Sequence, residues 1–475
     1  MQIFVSTDGN DRYTGSAQNP LRTINRATAL SVSGDQILVR PGVYKERVIL
    51  SKERTSLTAL SINNEKVVID GDNYRLPEMP DAATVFGGTC QYGTWNAFNY
   101  AGLVELNANK TSVTGITIRN SRGRGLEVNG QSDDLRTSQN AVIDCHVVES
   151  RHAGISAKYF DRLFIQNCTN QAAGNFADFR RPTAKGVPYN HPAACSFQVG
   201  TNLEIDGLES SLSLGEGVMF NNIIGGKARR IYSNRNMAGG IYFNATCNFV
   251  LDGWQSFYSD DPKLNSIAGS QNQAGVFLNR EDHKSDWGKV ENTCHDLVIR
   301  NGLSVNTDRG IAQLGALGLF LFENILFEHN TIVRPSSGVP GNPSEAIFIA
   351  TQGKYKNICF EDNLIFLSDP KMQRAIYSNS NNLVIPGVSF NHNAYSHLPA
   401  KAYSSPSDKL LTSNTLFDPM ARITDFLDVE NYKAFAINPP RFGCDFRVFQ
   451  EGQEKQKKEP ALRAGLWSGY RSGVE

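Results

Sequence analysis

Two glutamates and a set of cationic and phenolic side chains carry the chemistry this sequence offers. Glu216 sits in a Gly215-Glu216-Gly217 turn, and Glu281 follows Phe277-Leu278-Asn279-Arg280. Two carboxylates flanking one bond can donate and accept a proton, or attack and then release an intermediate. A different group would serve proton abstraction next to a carboxylate: Lys158, Arg180, His191, Tyr242, Arg280 and His283. One of these would neutralise the carboxylate and another would take the carbon-bound proton. Asp260 and Asp261, joined by Asp282 or Asp286, form a candidate oxygen set for Ca²⁺. Each of these groups also has a plainer reading as a solvated loop or turn residue.

A repeat positions them. A short alternating strand, a turn with Asn or Gly, and a second apolar stretch return along the chain, as in Val113-Thr114-Gly115-Ile116-Thr117-Ile118-Arg119-Asn120 and Leu297-Val298-Ile299-Arg300-Asn301. Marking the last apolar residue of each strand gives a basic period of 20 to 28 residues with three longer excursions. Between these markers a Gly or Ala opens a second strand type, as in Gly154-Ile155-Ser156-Ala157-Lys158, Gly217-Val218-Met219-Phe220-Asn221, Gly240-Ile241-Tyr242-Phe243-Asn244 and Gly275-Val276-Phe277-Leu278-Asn279. Alternation puts Ile155, Val218, Ile241 and Val276 inside, and Lys158, Asn221, Asn244 and Asn279 outside three residues later. Strands at this period without helical spacing predict an all-β parallel solenoid. A single coil of ~22 residues cannot offset its ordering entropy of roughly 1–2 kcal/mol per residue. Stacked coils share a core and continuous hydrogen-bond ladders. Asn120, Asn167, Gly207, Gly253 and Asn301 are expected to form one turn column. The 43 asparagines and 41 glycines agree with many tight bends.

Stacking would bring distant residues together. Insertions at 72–100, 170–193 and 258–273 reach the Gly-Ile strand from its N-terminal side, and 281–293 leaves on the other side. Loops on both edges would make a trough along one sheet, suited to an extended hydroxyl-rich polymer. Tyr92, Trp95, Phe98, Tyr100, Phe176, Phe179, Tyr189 and Trp287 cluster in these insertions and either stack on sugar rings or fasten the loops. Glu216 and Glu281 lie two coils apart by repeat count. At ~4.8 Å per coil their backbones are expected roughly 10 Å apart. Arg180, His191, Asn221, Asn244, Asn279, Arg280 and His283 are the expected substrate-binding groups.

Composition narrows the classes. Lys and Arg total 47 against 47 Asp and Glu, a balance that excludes a generally basic nucleic-acid binder. No apolar run approaches the ~18 residues of a membrane span. No glycine loop built to cradle phosphate precedes a helix. The eight cysteines contain no CxxC, which argues against zinc and for buried free thiols. No signal-peptide pattern precedes Ile3–Val5, so the expectation is either a leader removed before this numbering or a protein that never had one.

The opening residues add a resemblance. Phe4-Val5-Ser6-Thr7-Asp8-Gly9-Asn10-Asp11, Asn19-Pro20-Leu21-Arg22-Thr23-Ile24, Gly34-Asp35 and Val39-Arg40-Pro41-Gly42-Val43-Tyr44 resemble the start of the pectate-lyase-like superfamily, and the coil pattern extends the likeness to about residue 400. Gly215–Val218 through Gly240–Phe243 resembles an uncharacterised bacterial β-helix repeat subgroup. The resemblance implies a right-handed parallel β-helix and a carbohydrate-active class of lyases, hydrolases, epimerases and phage depolymerases. It also implies an extracellular or periplasmic place, or a phage virion. No catalytic residue transfers: Cys195–Gly200 stands where a lysine base would be sought, and the Asp-Pro-His-Glu signature of alginate epimerases is absent.

The expected layout is a cap at 1–33 with a short amphipathic helix over Pro20–Leu30, a solenoid at 34–400, a packing segment at 401–450 and a tail at 451–475. The expected function is cleavage of a polysaccharide or oligosaccharide, by lyase or hydrolase chemistry, with no nucleic-acid or membrane partner. Its alternative is a noncatalytic glycan-binding or structural solenoid.

Overall fold

The computed structural model of the 475-residue chain describes residues 1–60, 65–71, 101–121, 123–150, 152–174, 193–213, 215–236, 239–258, 274–280, 294–316, 321–333, 344–350, 354–367, 369, 371, 373–378, 384–396, 399 and 405–410. Every named strand pairs parallel with the equivalent strand of the next coil. The result is a parallel β-helix with three stacked sheets.

Sheet A holds Val48–Leu50, Gly102–Leu106, Arg124–Asn129, Gly239–Asn244, Ala274–Arg280, Arg309–Ala316, Ser344–Ile349 and Gln373–Ser378. Sheet B runs from Gln2–Val5 through Gln36–Val39, Ser56–Ala59 and Ser112–Thr114 to Lys354–Glu361 and Val388–Asn391. Sheet C runs from Gly42–Tyr44 through Val67–Asp70 and Ile116–Arg119 to Ala394–Tyr395. It gains a last rung at Lys409–Leu410, slightly past the expected end of the repeat. In the middle of the stack, single long strands such as Ile155–Gln171 and Cys195–Ser211 pass through all three sheets.

Such strands turn corners through left-handed residues. The bend from sheet B to sheet C falls at Gly115, Asp144, Asn167, Gly207, Arg230, Gly253, Asn301, His329, Asp362 and His392, all with positive φ. For a residue with a Cβ this conformation costs roughly 1 kcal/mol, and asparagine and aspartate lower that by bonding locally. At the corner from sheet A to sheet B such side chains also bond from coil to coil: Asn202 Nδ2 donates to Asp161 Oδ1 at 3.0 Å, and Asn357 Nδ2 to Asn324 Oδ1 at 3.0 Å. The expected turn column needs one correction. Ile143 pairs with Thr114, so Gly115 belongs to the column, while Asn120 (φ 55°) stands at the next corner, beyond sheet C.

The glycine that opens each sheet A strand has a steric cause. A Cβ on Gly154 would meet Asn170 Oδ1 at 1.6 Å, and one on Gly217 would meet Ser233 Oγ at 2.1 Å. Polar side chains from the end of sheet C fill that corner. Inside, phenylalanines pack from coil to coil: Phe327 stacks on Phe360 at 4.6 Å and Phe360 on Phe390 at 5.0 Å, while Phe220 meets Phe243 tilted by 31° at 4.9 Å. Each such pair is worth about 0.5–1.5 kcal/mol beyond its buried area.

The helix spans Ile24–Leu30, starting later than Pro20. Leu21 is bridged to Val5, and Thr23 caps the helix by accepting from Arg26 N at 3.1 Å. Glu46 receives Ile24 N and Asn25 N, both at 2.8 Å, which fixes the first turn. Ile24 and Ala27 face the core, and the helix packs on Gln2–Val5, Gln36–Val39 and Val48–Leu50. Leu30 is 39% exposed, so the apolar stripe ends one turn early. Among the described residues Cys145, Cys168, Cys195, Cys247 and Cys294 are buried free thiols and Cys359 is half-buried. No helix among them is long and apolar enough to cross a membrane.

Candidate functional site

The outer face of sheet A gathers residues from successive coils into straight rows. One row follows the inward Val104, Leu126, Ile155 and Cys195: Glu105, Glu127, Ser156 and Ser196, continuing with Met219, Tyr242 and Phe277. Two residues further along each strand a second row reads Asn129, Lys158, Gln198, Asn221, Asn244 and Asn279. The expected piling of Lys158, Asn221, Asn244 and Asn279 in one outward row is therefore what the pairing register gives.

The early coils carry the charge. Glu105 and Glu127 are paired neighbours, 5% and 3% exposed. Arg47 forms an ion pair with Glu105, and its Nε donates to Gly102 O at 3.0 Å. Asn107 Nδ2 donates to the other Glu105 oxygen at 3.0 Å. Arg124 forms an ion pair with Glu127, whose second oxygen accepts Gly102 N at 3.2 Å. Burial pushes the Glu127 carboxyl up from its usual range; Arg124 pulls it back and the Glu105 charge pushes it up again. His152, one coil above Gly123 and bonded through its N to Gly123 O at 3.0 Å, is held well below 6.5 by desolvation and by Arg124. A carboxyl whose proton is held more tightly than usual and an imidazole whose proton is held less tightly thus share the field of one arginine.

The later coils are aromatic. Tyr242 stacks on Phe277 with ring centroids 4.3 Å apart and planes 9° apart. Arg309 lies 4.3 Å from the Phe348 ring centroid and Arg374 lies 4.5 Å from that of Tyr377. Between the two ends, Gln198 Nε2 donates to Ser196 Oγ at 2.8 Å, and Lys158 Nζ lies 4.6 Å from the Tyr159 ring centroid.

The expected site residues distribute unevenly. Lys158 and Asn279 are half-buried on the outer row. Asn221, Asn244 and Tyr242 are on the expected face but only 5%, 2% and 3% exposed. Asn244 Nδ2 donates to Asn221 Oδ1 at 3.2 Å, so these two also serve the stack. Glu216 is half-buried and opens its strand in register with Gly239 and Ala274, at the edge where the chain enters sheet A. Arg280 closes Ala274–Arg280 at the opposite edge; nothing of its side chain is described. A sheet width of roughly 20 Å separates these edges. Glu281, Arg180, His191, His283, Asp260, Asp261, Asp282 and Asp286 lie outside the described residues. Within the described residues no group of three or more His, Cys, Asp or Glu stands ready for a metal ion.

Glu105 and Glu127 are not among the residues that the sequence alone singles out. The signal was present: Val104-Glu105-Leu106 and Leu126-Glu127-Val128 each place a glutamate between two inward residues, at one offset. The raised Glu127 carboxyl makes a pH prediction. Such a group binds its proton more tightly folded than unfolded, so it weakens folding as pH rises from about 4.3 through its raised folded value. The stability of the native protein relative to Glu127→Gln should fall across that window and then level off, as read by urea unfolding at a series of pH values. A difference independent of pH would contradict the assignment.

A protein from Bacillus subtilis (strain 168), the uncharacterized protein YwoF, is 30% identical over 74 residues, which are 15% of this chain and 16% of that protein. The chain thus spans about a sixth of the length of this relative. Among solved structures, a rhamnogalacturonan lyase is similar with a TM-score of 0.47 and 14% identity, covering 82% of this chain and 87% of its own. Pectate lyase Pel9A is similar with a TM-score of 0.44 and 12% identity, covering 85% and 81%. The A-module of the mannuronan C-5 epimerase AlgE4 of Azotobacter vinelandii is similar with a TM-score of 0.42 and 11% identity, covering 82% and 94%. A family description, "Protein of unknown function (DUF1565)", matches residues 7–354, most of the chain, and this protein belongs to that family.

Proposed function

We propose that this protein is a glycan-cleaving enzyme whose substrate lies along the outer face of sheet A. The observation that carries the reading is the row geometry: Glu105 and Glu127 on neighbouring coils, followed in register by Ser156, Ser196 and the Lys158 row. Extended glycans present hydroxyls at regular intervals, and a ladder of amide, hydroxyl and ammonium groups one coil apart matches such a repeat. Glu127 retains its proton to higher pH than a free glutamate and is the proposed general acid. Lys158 is the proposed cation for an acidic sugar, and Glu216 and Tyr242 flank the substrate further along. The reading places the protein outside the cytoplasm, where polymeric glycans occur.

The test is a panel of uronic-acid and neutral polysaccharides, assayed for new reducing ends and for the absorbance of an unsaturated product. A lyase gives both signals and a hydrolase gives only the first. Lys158→Ala is expected to lower kcat/KM on an acidic polymer roughly 10–100-fold, the loss of one charged contact. It should leave a neutral polymer unaffected. Equal effects on both would remove Lys158 from the site.

A second reading is a noncatalytic glycan-binding or structural solenoid. The ion pairing of both buried glutamates and the burial of Asn221 and Asn244 favour it. Binding on a glycan array without product from any polymer would select it.

A further inference from the structure

Two buried cysteines occupy the same position of neighbouring coils. Ile143 pairs with Gln166 and His146 with Thr169, which puts Cys145 directly under Cys168. Both side chains point into the core, 0% and 1% exposed. Their surroundings are alike: Cys145 Sγ contacts Ile143 O at 3.3 Å and Val113 O at 3.7 Å, while Cys168 Sγ contacts Gln166 O at 3.2 Å and Val142 O at 3.5 Å. Each thiol therefore bonds to the carbonyl two residues back and to one on the coil below. No other two described cysteines share a position on consecutive coils.

We infer that Cys145 and Cys168 form a disulfide between coils when the chain folds in an oxidising medium. Paired parallel strands hold equivalent backbones ~4.8 Å apart, inside the usual 4.4–6.8 Å Cα separation of a disulfide. Rotation of one side chain about its Cα–Cβ bond closes the remaining gap and gives up weak thiol–carbonyl contacts. The oxidant is a small-molecule disulfide such as oxidised glutathione. One cysteine thiolate attacks it, releasing one glutathione thiolate and forming a mixed disulfide. The second cysteine thiolate then attacks the protein sulfur and releases the other. Two protein thiols are oxidised, one disulfide is reduced, and the two thiol protons end on two glutathiones.

Timing follows from burial. Desolvation holds the Cys168 thiol far above its ordinary range, with the Cys145 thiol hydrogen-bonded beside it. In the folded protein the attacking thiolate is scarce and the pair is closed to an oxidant. The bond therefore forms during folding. The closed loop contains His152, Ser156 and Lys158, so the bond ties the coil bearing the central part of sheet A's outer face to the coil below it.

The test refolds the full chain with oxidised and reduced glutathione, and in parallel with a reductant alone. The expected oxidised product is two mass units lighter, titrates six thiols in denaturant in place of eight, and yields a peptide joining Cys145 to Cys168. Its thermal midpoint is expected several degrees above that of the reduced protein. Cys145→Ala and Cys168→Ala should abolish the mass loss and the shift. Cys145 and Cys168 both alkylated when the folded oxidised wild-type protein is opened in denaturant would overturn the proposal even if both variants failed to fold. So would a bond joining either to another cysteine. Neither outcome bears on glycan cleavage.

Discussion

Under the proposed glycan-cleaving function, Glu127→Gln is expected to lower kcat on the best polymer of the panel roughly 10²–10⁴-fold, the usual contribution of one general acid. Binding should change little. The substitution keeps the shape of a side chain that is 3% exposed and retains an oxygen for Gly102 N. It removes the titratable proton whose release burial makes harder, with Arg124 pulling the other way. Folding should survive, because a neutral amide of the same shape needs no compensating charge; the partner Arg124 is half-buried and reaches water more easily than Glu127. The readouts are kcat and KM on the best polymer of the panel, with circular dichroism and a urea midpoint as controls. Activity within a few-fold of the native protein, in a folded variant, would assign Glu127 and Arg124 to the stack alone.

Gly302→Ala is expected to destabilise the protein by about 3–5 kcal/mol, combining overpacking with a broken buried network. An alanine Cβ there would lie 1.8 Å from Trp254 Cε2. Trp254 is 0% exposed and cannot retreat into solvent. Its Nε1 donates to Asn330 Oδ1 at 3.1 Å, and the same oxygen accepts Gly302 N at 3.0 Å. Asn330 Nδ2 donates to Asn363 Oδ1 at 3.1 Å, and Asn363 Nδ2 to Asn393 Oδ1 at 3.0 Å. Displacing the indole thus disturbs a buried ladder that crosses three further coils. Urea unfolding at one temperature measures the loss. A change under about 1 kcal/mol would mean that this corner has room to relax.

The winding was legible because a coil imposes a local pattern. Gly154, Gly217, Gly240 and Gly275 mark the same corner, and the alternation after them fixes which side chains face out. That is why the row of Lys158, Asn221, Asn244 and Asn279 is legible in the sequence. The turn column was read less well. Asn120 and Asn167 are both left-handed asparagines after apolar strands, yet they stand at different corners, which only the pairing separates. The helix start was misplaced because Leu21 continues the apolar spacing while its backbone is bridged to Val5.

The chemistry was harder to see. Glu216 drew attention as a carboxylate between two glycines, whereas Glu105 and Glu127 looked like single polar residues in apolar strands. Their interest depends on being paired across 22 residues and held by Arg47 and Arg124, a relation no local pattern contains. Burial was likewise illegible: Asn221 and Asn244 have the right row and the right amides, but are almost wholly covered.

The most direct test of the proposed function is a crystal structure of Glu127→Gln bound to an oligosaccharide of the best polymer of the panel. The sugar chain should lie along the outer face of sheet A, with hydrogen bonds to Lys158 and its scissile linkage beside residue 127. Sugar bound over sheet B or sheet C, or on sheet A with residue 127 out of reach of any glycosidic oxygen, would contradict the account.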